Sequence, residues 1–163
     1  MPGEVGVRVR RGVPGDLDVI AGWTVALGRE SEGIELDAGV LRRGIGLVLE
    51  GADGGERGWY YVATAGGESG GAEVPVGQTM ITREWSDWRC KWTWWIQNVY
   101  VDAAHRRRGV FRSLYEHVVR DAQAQGASGV RLYADTGNDR ALGVYRSLGM
   151  HSHYAVFEHM FDG

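Results

Sequence analysis

"VYVDAAHRRRGVFRSLYEHVV", residues 99–119, opens as an extended apolar run, passes through three arginines and a glycine, and becomes a helix. Val110, Phe111, Leu114, Tyr115, Val118, Val119 and Ala122 recur at helical spacing, and Gly126 closes the helix they predict. The opening residues end WTWWIQNVYV (92–101), whose aromatic and β-branched density makes it the strongest strand signal in the chain. Arg106, Arg107, Arg108 and Gly109 stand at the junction. The first amides of a helix lack carbonyl partners, and the helix dipole adds positive charge at the same end. A glycine there lets the backbone approach a ligand, and arginines add forked donors that match phosphate oxygens. The stretch predicts a cradle for an anion. A solvated basic turn and a nucleic-acid patch are the other readings of such a run.

VGVRVRR (5–11) alternates as a half-exposed strand. Asp16 is placed to cap a helix carrying Leu17, Ile20, Ala21, Thr24 and Leu27 on one side, and Asp37 to cap a second with Val40, Leu41, Ile45 and Val48. GWYYVATAG (58–66) and VGQTMITRE (76–84) read as an antiparallel hairpin joined by GGESGGAE (66–73), and EWSDWRCK (84–91) as a polar-aromatic loop. In 92–101, alternation sets Trp92, Trp94 and Ile96 on one face and Trp95, Gln97, Val99 and Val101 on the other. VRLYAD (130–135) is a strand, and Asn138 caps a short helix bearing Ala141, Leu142, Tyr145 and Leu148. HYAVFEHMF (153–161) is a final strand. The order is β-α-α-β-β-β-α-β-α-β, a mixed sheet with helices on both faces, of the α/β (α+β) class. Strands 92–101 and 130–135, joined through a helix, are expected to be parallel with a right-handed crossover.

At 163 residues, with 44% hydrophobic and 24% charged side chains, the chain suits one domain over 1–163. A net charge of −3 gives no global attraction to nucleic acid or membrane, so an anion site must be local. Cys90 is the sole cysteine, which excludes an internal disulfide and a cysteine zinc site, and the five histidines show no metal-ligand spacing; no metal is expected. With no apolar signal core and no membrane-length run, a cytoplasmic, soluble protein is expected. Rossmann and Walker motifs are absent, and no nucleophile elbow surrounds Ser113.

The strand IQNVYV, the run DAAHRRRGVF and the following helix resemble the acetyl-coenzyme A motif of the GNAT superfamily of N-acetyltransferases, Q/R-x-x-G-x-G/A, with Arg106 and Gly109 in its first and fourth positions. NDRALGVYRSLGM (138–150) resembles that superfamily's second motif, through Asn138, Ala141, Tyr145 and the LGM triplet. The resemblance implies a mostly antiparallel central sheet and acetyl-coenzyme A as acyl donor. It implies that the backbone of Val99, Tyr100 and Val101 meets the pantetheine arm, that the amides of Arg107, Arg108, Gly109, Val110, Phe111 and Arg112 hold the pyrophosphate, and that Asn138 contacts the arm. Tyr145 corresponds to the tyrosine that protonates the leaving thiolate, and a homodimer is the superfamily's habit.

Two positions depart from the pattern. Phe111 stands where glycine or alanine is usual; its place on the apolar helix face lets its ring turn inward and its amide face the anion. Gln97 stands where many members carry a glutamate base, and an amide takes up no proton near neutral pH. An alkylammonium acceptor of pKa about 10 must still be deprotonated, at a cost of about 4 kcal/mol at neutral pH. Glu84 is the candidate base, with Asp87, Glu30 and Trp85 as candidate acceptor contacts, since both regions border the acceptor site in the resembling fold. The function implied is acetyl transfer to a primary amine, of a small molecule, by direct attack in a ternary complex. The alternative is an inactive acyl-coenzyme A-binding sensor or interaction module.

Overall fold

The aromatic run beginning at Lys91 forms the strand beside which the rest of the sheet is laid. In the computed structural model, which describes residues 6–51, 55–67 and 71–161, the strands are β1 (Val7–Arg11), β2 (Trp59–Gly67), β3 (Gly71–Ser86), β4 (Lys91–Val101) and β5 (Gly129–Leu132). They lie in the order β1-β2-β3-β4-β5, with β1 to β4 each antiparallel to the next. The helices are α1 (Leu17–Leu27), α2 (Ala38–Glu50), α3 (Val110–Ala124) and α4 (Asp139–Ser147). The fold is a mixed, mostly antiparallel sheet with helices, as the sequence pattern and the resemblance imply. Two units are described separately, Met1–Arg131 and Leu132–Gly163. Val5, the first residue of the expected opening strand, and 68–70 within the Gly-rich loop lie outside the described residues.

In the first unit, alternation along β2 divides the core. Tyr60 and Val62 pack with Ile20 and Ala21 of α1 and with Ile45, Val48 and Leu49 of α2. Tyr61, between them, points to the other face, where its ring meets His117 of α3 edge-on and its hydroxyl donates to Asp121. Burial, with that carboxylate beside it, pushes the Tyr61 phenol up to about 12. On α3 the buried stripe is Val110, Leu114, Val118 and Ala122, spaced by four residues.

Three local expectations change. The loop expected over 84–91 shrinks to a turn at 87–90, because β3 continues to Ser86. Trp85 pairs across the ladder with Trp92, their rings 5.1 Å apart and edge-to-face, and the Arg83 guanidinium lies 4.9 Å from the Trp92 ring. Cross-strand aromatic pairs of this kind hold a ladder together beyond where apolar alternation stops. The strand expected at 153–161 is not formed: residues 150–161 carry no regular secondary structure, and Tyr154, Phe157, Met160 and Phe161 are exposed. A strand needs a neighbour for its amides and carbonyls, and the segment is not among the five paired strands.

Asp16 is the third. Instead of capping α1, its buried carboxylate accepts two bonds from the Arg10 guanidinium, at 2.8 and 2.9 Å, and a third from the Val13 amide at 2.9 Å. Burial raises the Asp16 carboxyl, but the Arg10 and Val13 hydrogen bonds outweigh it and leave it below its ordinary value. A carboxyl lowered on folding contributes stability above its unfolded pKa and loses that contribution as pH falls through its folded value. Asp16→Asn is expected to cost about 2 kcal/mol at pH 7. In urea titrations the gap between wild type and variant should narrow as the buffer is taken below pH 4.

Candidate functional site

The register of β3 against β4 contains one irregularity. Met80 faces Asn98 and Ile81 faces Ile96, so Gln97 is left without a partner and β4 bulges there. Cross-strand partners share a face, and β3 alternates regularly through Gly77, Thr79 and Ile81. Their partners Val101, Val99 and Ile96 therefore lie together on the α3 side. This corrects the strict alternation expected for 92–101, which sets Val99 and Val101 beside Gln97. The extra residue flips the parity, and Asn98 and Tyr100 join Trp95 on the α1 side instead.

On that side, the Gln97 amide nitrogen donates to the Thr82 hydroxyl at 2.7 Å. Glu84 lies one alternation further along β3. Its carboxylate accepts from Trp95 Nε1 at 2.8 Å and from Arg131 at 3.2 Å, so both oxygens are engaged. Trp85 points to the opposite face with Arg83, and Asp87 lies in the exposed turn, where its carboxylate accepts from the Trp88 amide. The structure thus brings Gln97 and Glu84 to one face and does not bring Trp85 or Asp87 to them.

The C-terminal end of β4 delivers the chain to the arginine turn. Asp102 caps a short 3-10 turn, Ala103–His105, by accepting from the Ala104 amide, and it also meets His105 Nδ1 at 3.0 Å. Arg107 then adopts φ 65° and Gly109 φ 79°, two left-handed residues within one turn. Gly109 is the N-cap of α3, and the first helical bond runs from the Ser113 amide to the Gly109 carbonyl at 3.0 Å. What glycine supplies is the positive φ, since a Cβ there would meet nothing within 4 Å. Arg107, Arg108 and Arg112 are exposed around this opening. The first-turn amides, dipole and exposed cations fit an anion at this place. Phe111 is half-buried with its ring 6.3 Å from Tyr115, beside the core stripe rather than in it.

Arg106 behaves differently from its neighbours. Its Nε donates to the Val101 carbonyl at 3.1 Å, and its Nη2 donates to Glu30 at 2.8 Å. The Tyr100 hydroxyl donates to the other Glu30 oxygen at 3.2 Å. Glu30 therefore sits at the cradle's edge, bonded to Arg106. Sequence spacing had no way to show a contact spanning 76 positions.

In the second unit, Asn138 caps α4, its side-chain oxygen accepting from the Ala141 amide at 3.1 Å. Burial holds the Tyr145 phenol above its ordinary value, so it carries its proton at neutral pH. Among the described residues no cluster of side chains could hold a metal ion, and no helix is long and apolar enough to cross a membrane.

Residues 31–150 match the model of the acetyltransferase (GNAT) family. A possible acetyltransferase from Clostridium difficile 630 is 34% identical, with a TM-score of 0.83 over 96% of this chain and 99% of that one. An aminoglycoside acetyltransferase from an uncultured soil metagenomic sample, in complex with trehalose, gives 18% identity and a TM-score of 0.70 over 96% and 97%. The ribosomal-protein-alanine N-acetyltransferase of Brucella melitensis biovar Abortus 2308 gives 14% and 0.70 over 96% and 100%. No curated protein matches the chain.

The two left-handed residues predict opposite responses. Gly109→Ala should lower stability by about 1–2 kcal/mol, the cost of a side chain in that conformation. Arg107→Gly relieves the same strain and should be neutral or stabilising by up to about 1 kcal/mol. Equilibrium urea unfolding of the two variants checks both signs.

Proposed function

Because the chain belongs to the acetyltransferase (GNAT) family, we propose that it moves an acetyl group from acetyl-coenzyme A to a primary amine of a small molecule, by direct attack in a ternary complex. The observation that carries this reading is the junction of a bulged strand with a helix opened by left-handed Gly109 among exposed arginines. The pyrophosphate of the donor suits the amides from Arg107 to Arg112, and the pantetheine arm suits the backbone of Val99, Tyr100 and Val101. Asn138 spends its side-chain oxygen on α4, which leaves its amide hydrogens for the arm.

In this mechanism the amine nitrogen bonds to the acetyl carbon, and the carbonyl oxygen takes up negative charge. A backbone amide beside the bulge, near Val99, stabilises that charge. The carbon–sulfur bond then breaks, the sulfur receives the Tyr145 proton, and the phenolate regains a proton from water. Burial keeps the Tyr145 phenol above its ordinary value, so it holds a proton that it can give to the sulfur. Gln97 is held by Thr82 and orients groups without accepting a proton. Glu84, tied to Arg131 and Trp95, attracts the ammonium by charge, and the amine's proton leaves through water.

The test is transfer from acetyl-coenzyme A to a panel of amines that includes an aminoglycoside, a polyamine and a peptide with a free N-terminus. At least one should be acetylated, and Tyr145→Phe should lower kcat about a hundredfold or more with that acceptor. Equal rates remove Tyr145 from the mechanism. Coenzyme A binding without transfer to any amine replaces the enzyme with the inactive binding module, the reading that glutamine at position 97 favours.

A further inference from the structure

β1 closes one side of the sheet: it pairs with β2 alone, and among the described residues no strand lies against its other edge. An edge strand keeps about half of its N–H and C=O groups pointing away from the sheet, open to another extended chain. Partners across β1 and β2 share a face, so Val7, Val9 and Arg11, opposite Ala65, Ala63 and Tyr61, look toward α3. Arg8 and Arg10 look the other way and are engaged there, Arg8 with Glu73 at 2.9 Å and Arg10 with Asp16 at 2.8 Å. Between β1 and α3 lie two adjoining clefts of about 490 and 570 Å³, whose walls share His117 and Arg120. Val7 and Val9 line the first with Ser113, and Arg11, Tyr61 and Ala124 line the second. None of these residues belongs to the proposed coenzyme A site.

The charges along these clefts do not balance. Glu116 lies 4.0 Å from Arg112, and Asp121 accepts from the Tyr61 hydroxyl and from the Gln125 side-chain amide, the latter at 2.9 Å, so both carboxylates are engaged. Arg11 sits over aromatic rings, 4.4 Å from the centre of Trp59 and 5.7 Å from that of Tyr61, and Arg120 is exposed. Neither comes within ion-pair distance of a carboxylate among the described residues. We propose that the outer edge of β1 and the clefts beside it dock an extended acidic segment of another polypeptide. The segment adds to the sheet next to β1, its backbone bonding to the outward amides and carbonyls of residues 7–11. Its alternate side chains enter the clefts about 6.6 Å apart, apolar ones beside Val7 and Val9 and a carboxylate between Arg11 and Arg120. A small anion would use the two arginines and leave the strand edge and both valines unused. A second copy of this chain is the poorer occupant: pairing β1 with β1 so that the helices stay on matching faces sets arginine against arginine.

The experiment titrates the full chain into fluorescein-labelled, end-blocked seven-residue peptides in which valine alternates with threonine and glutamate takes one end. Two such peptides, one with the glutamate at each end, cover both strand directions. Anisotropy should show saturable binding of one of them, weakened about tenfold or more when lysine replaces its glutamate. N-methylation of every second peptide amide blocks one edge of the added strand, and one of its two phases should abolish binding while the other does not. Arg120→Glu, at an exposed position, should weaken the glutamate peptide about tenfold and strengthen the lysine peptide. Hydrogen exchange at residues 7–11 should slow when the peptide is bound. Binding of neither peptide, or binding that Arg120→Glu leaves unchanged, overturns the proposal. Equal binding in both methylated phases reduces the site to a small-anion pocket and overturns it too. Protection of residues 7–11 that rises with chain concentration in the absence of peptide assigns the edge to a second copy, and displacement of the peptide by coenzyme A assigns the clefts to the acyl donor; either result contradicts the proposal.

Discussion

The left-handed opening of α3 at Gly109 is the constraint on which the rest of the site depends. The first N–H groups of a helix have no carbonyl partners within it, so a side-chain cap, a tightened turn, water or a ligand must take them. The chain places Gly109 in the left-handed region at this point, preceded by Arg107 in the same strained region. Strain of this kind persists where the surroundings over-determine it. Here the surroundings are Val110 and Leu114, buried immediately after the turn, and the Asp102-capped 3-10 turn that follows β4 before it. The opening of the helix is fixed from both sides, and its dipole and neighbouring cations follow.

The bulge at Gln97 is the second determinant, and it explains how one strand serves two purposes. N-terminal to it, Trp94 and Ile96 fill the core on the α3 side; beyond it, Val99 and Val101 take over that face. Without the extra residue, Tyr100 would point away from α1 and Glu30 would have no hydroxyl to accept. The bulge also takes one residue, Gln97, out of the ladder between β3 and β4.

The fold was legible where one period ran uninterrupted. The four-residue spacing of Val110, Leu114, Val118 and Ala122, the aspartate cap of α2 and the asparagine cap of α4 all stand as the pattern implied. The turn that opens α3 was legible for the same reason, since it is local: strand, arginines, glycine and helix follow one another closely. What was not legible depends on partners far along the chain. The bulge is a matter of register between two strands, and nothing in WTWWIQNVYV marks which residue is extra. Asp16 looked like a cap because it precedes a helix, but Arg10 across the turn claims it. The contact of Glu30 with Arg106 joins residues 76 positions apart, and no spacing marks it. Residues 153–161 alternate like a strand, yet alternation without a neighbour to pair with does not form one.

Acetyl transfer by this chain requires that the opening of α3 bind the diphosphate end of coenzyme A. Calorimetric titration of coenzyme A into the intact, folded chain measures this directly. It should show saturable binding at one site per chain. Titration to millimolar coenzyme A with neither heat nor saturation contradicts the account at its base.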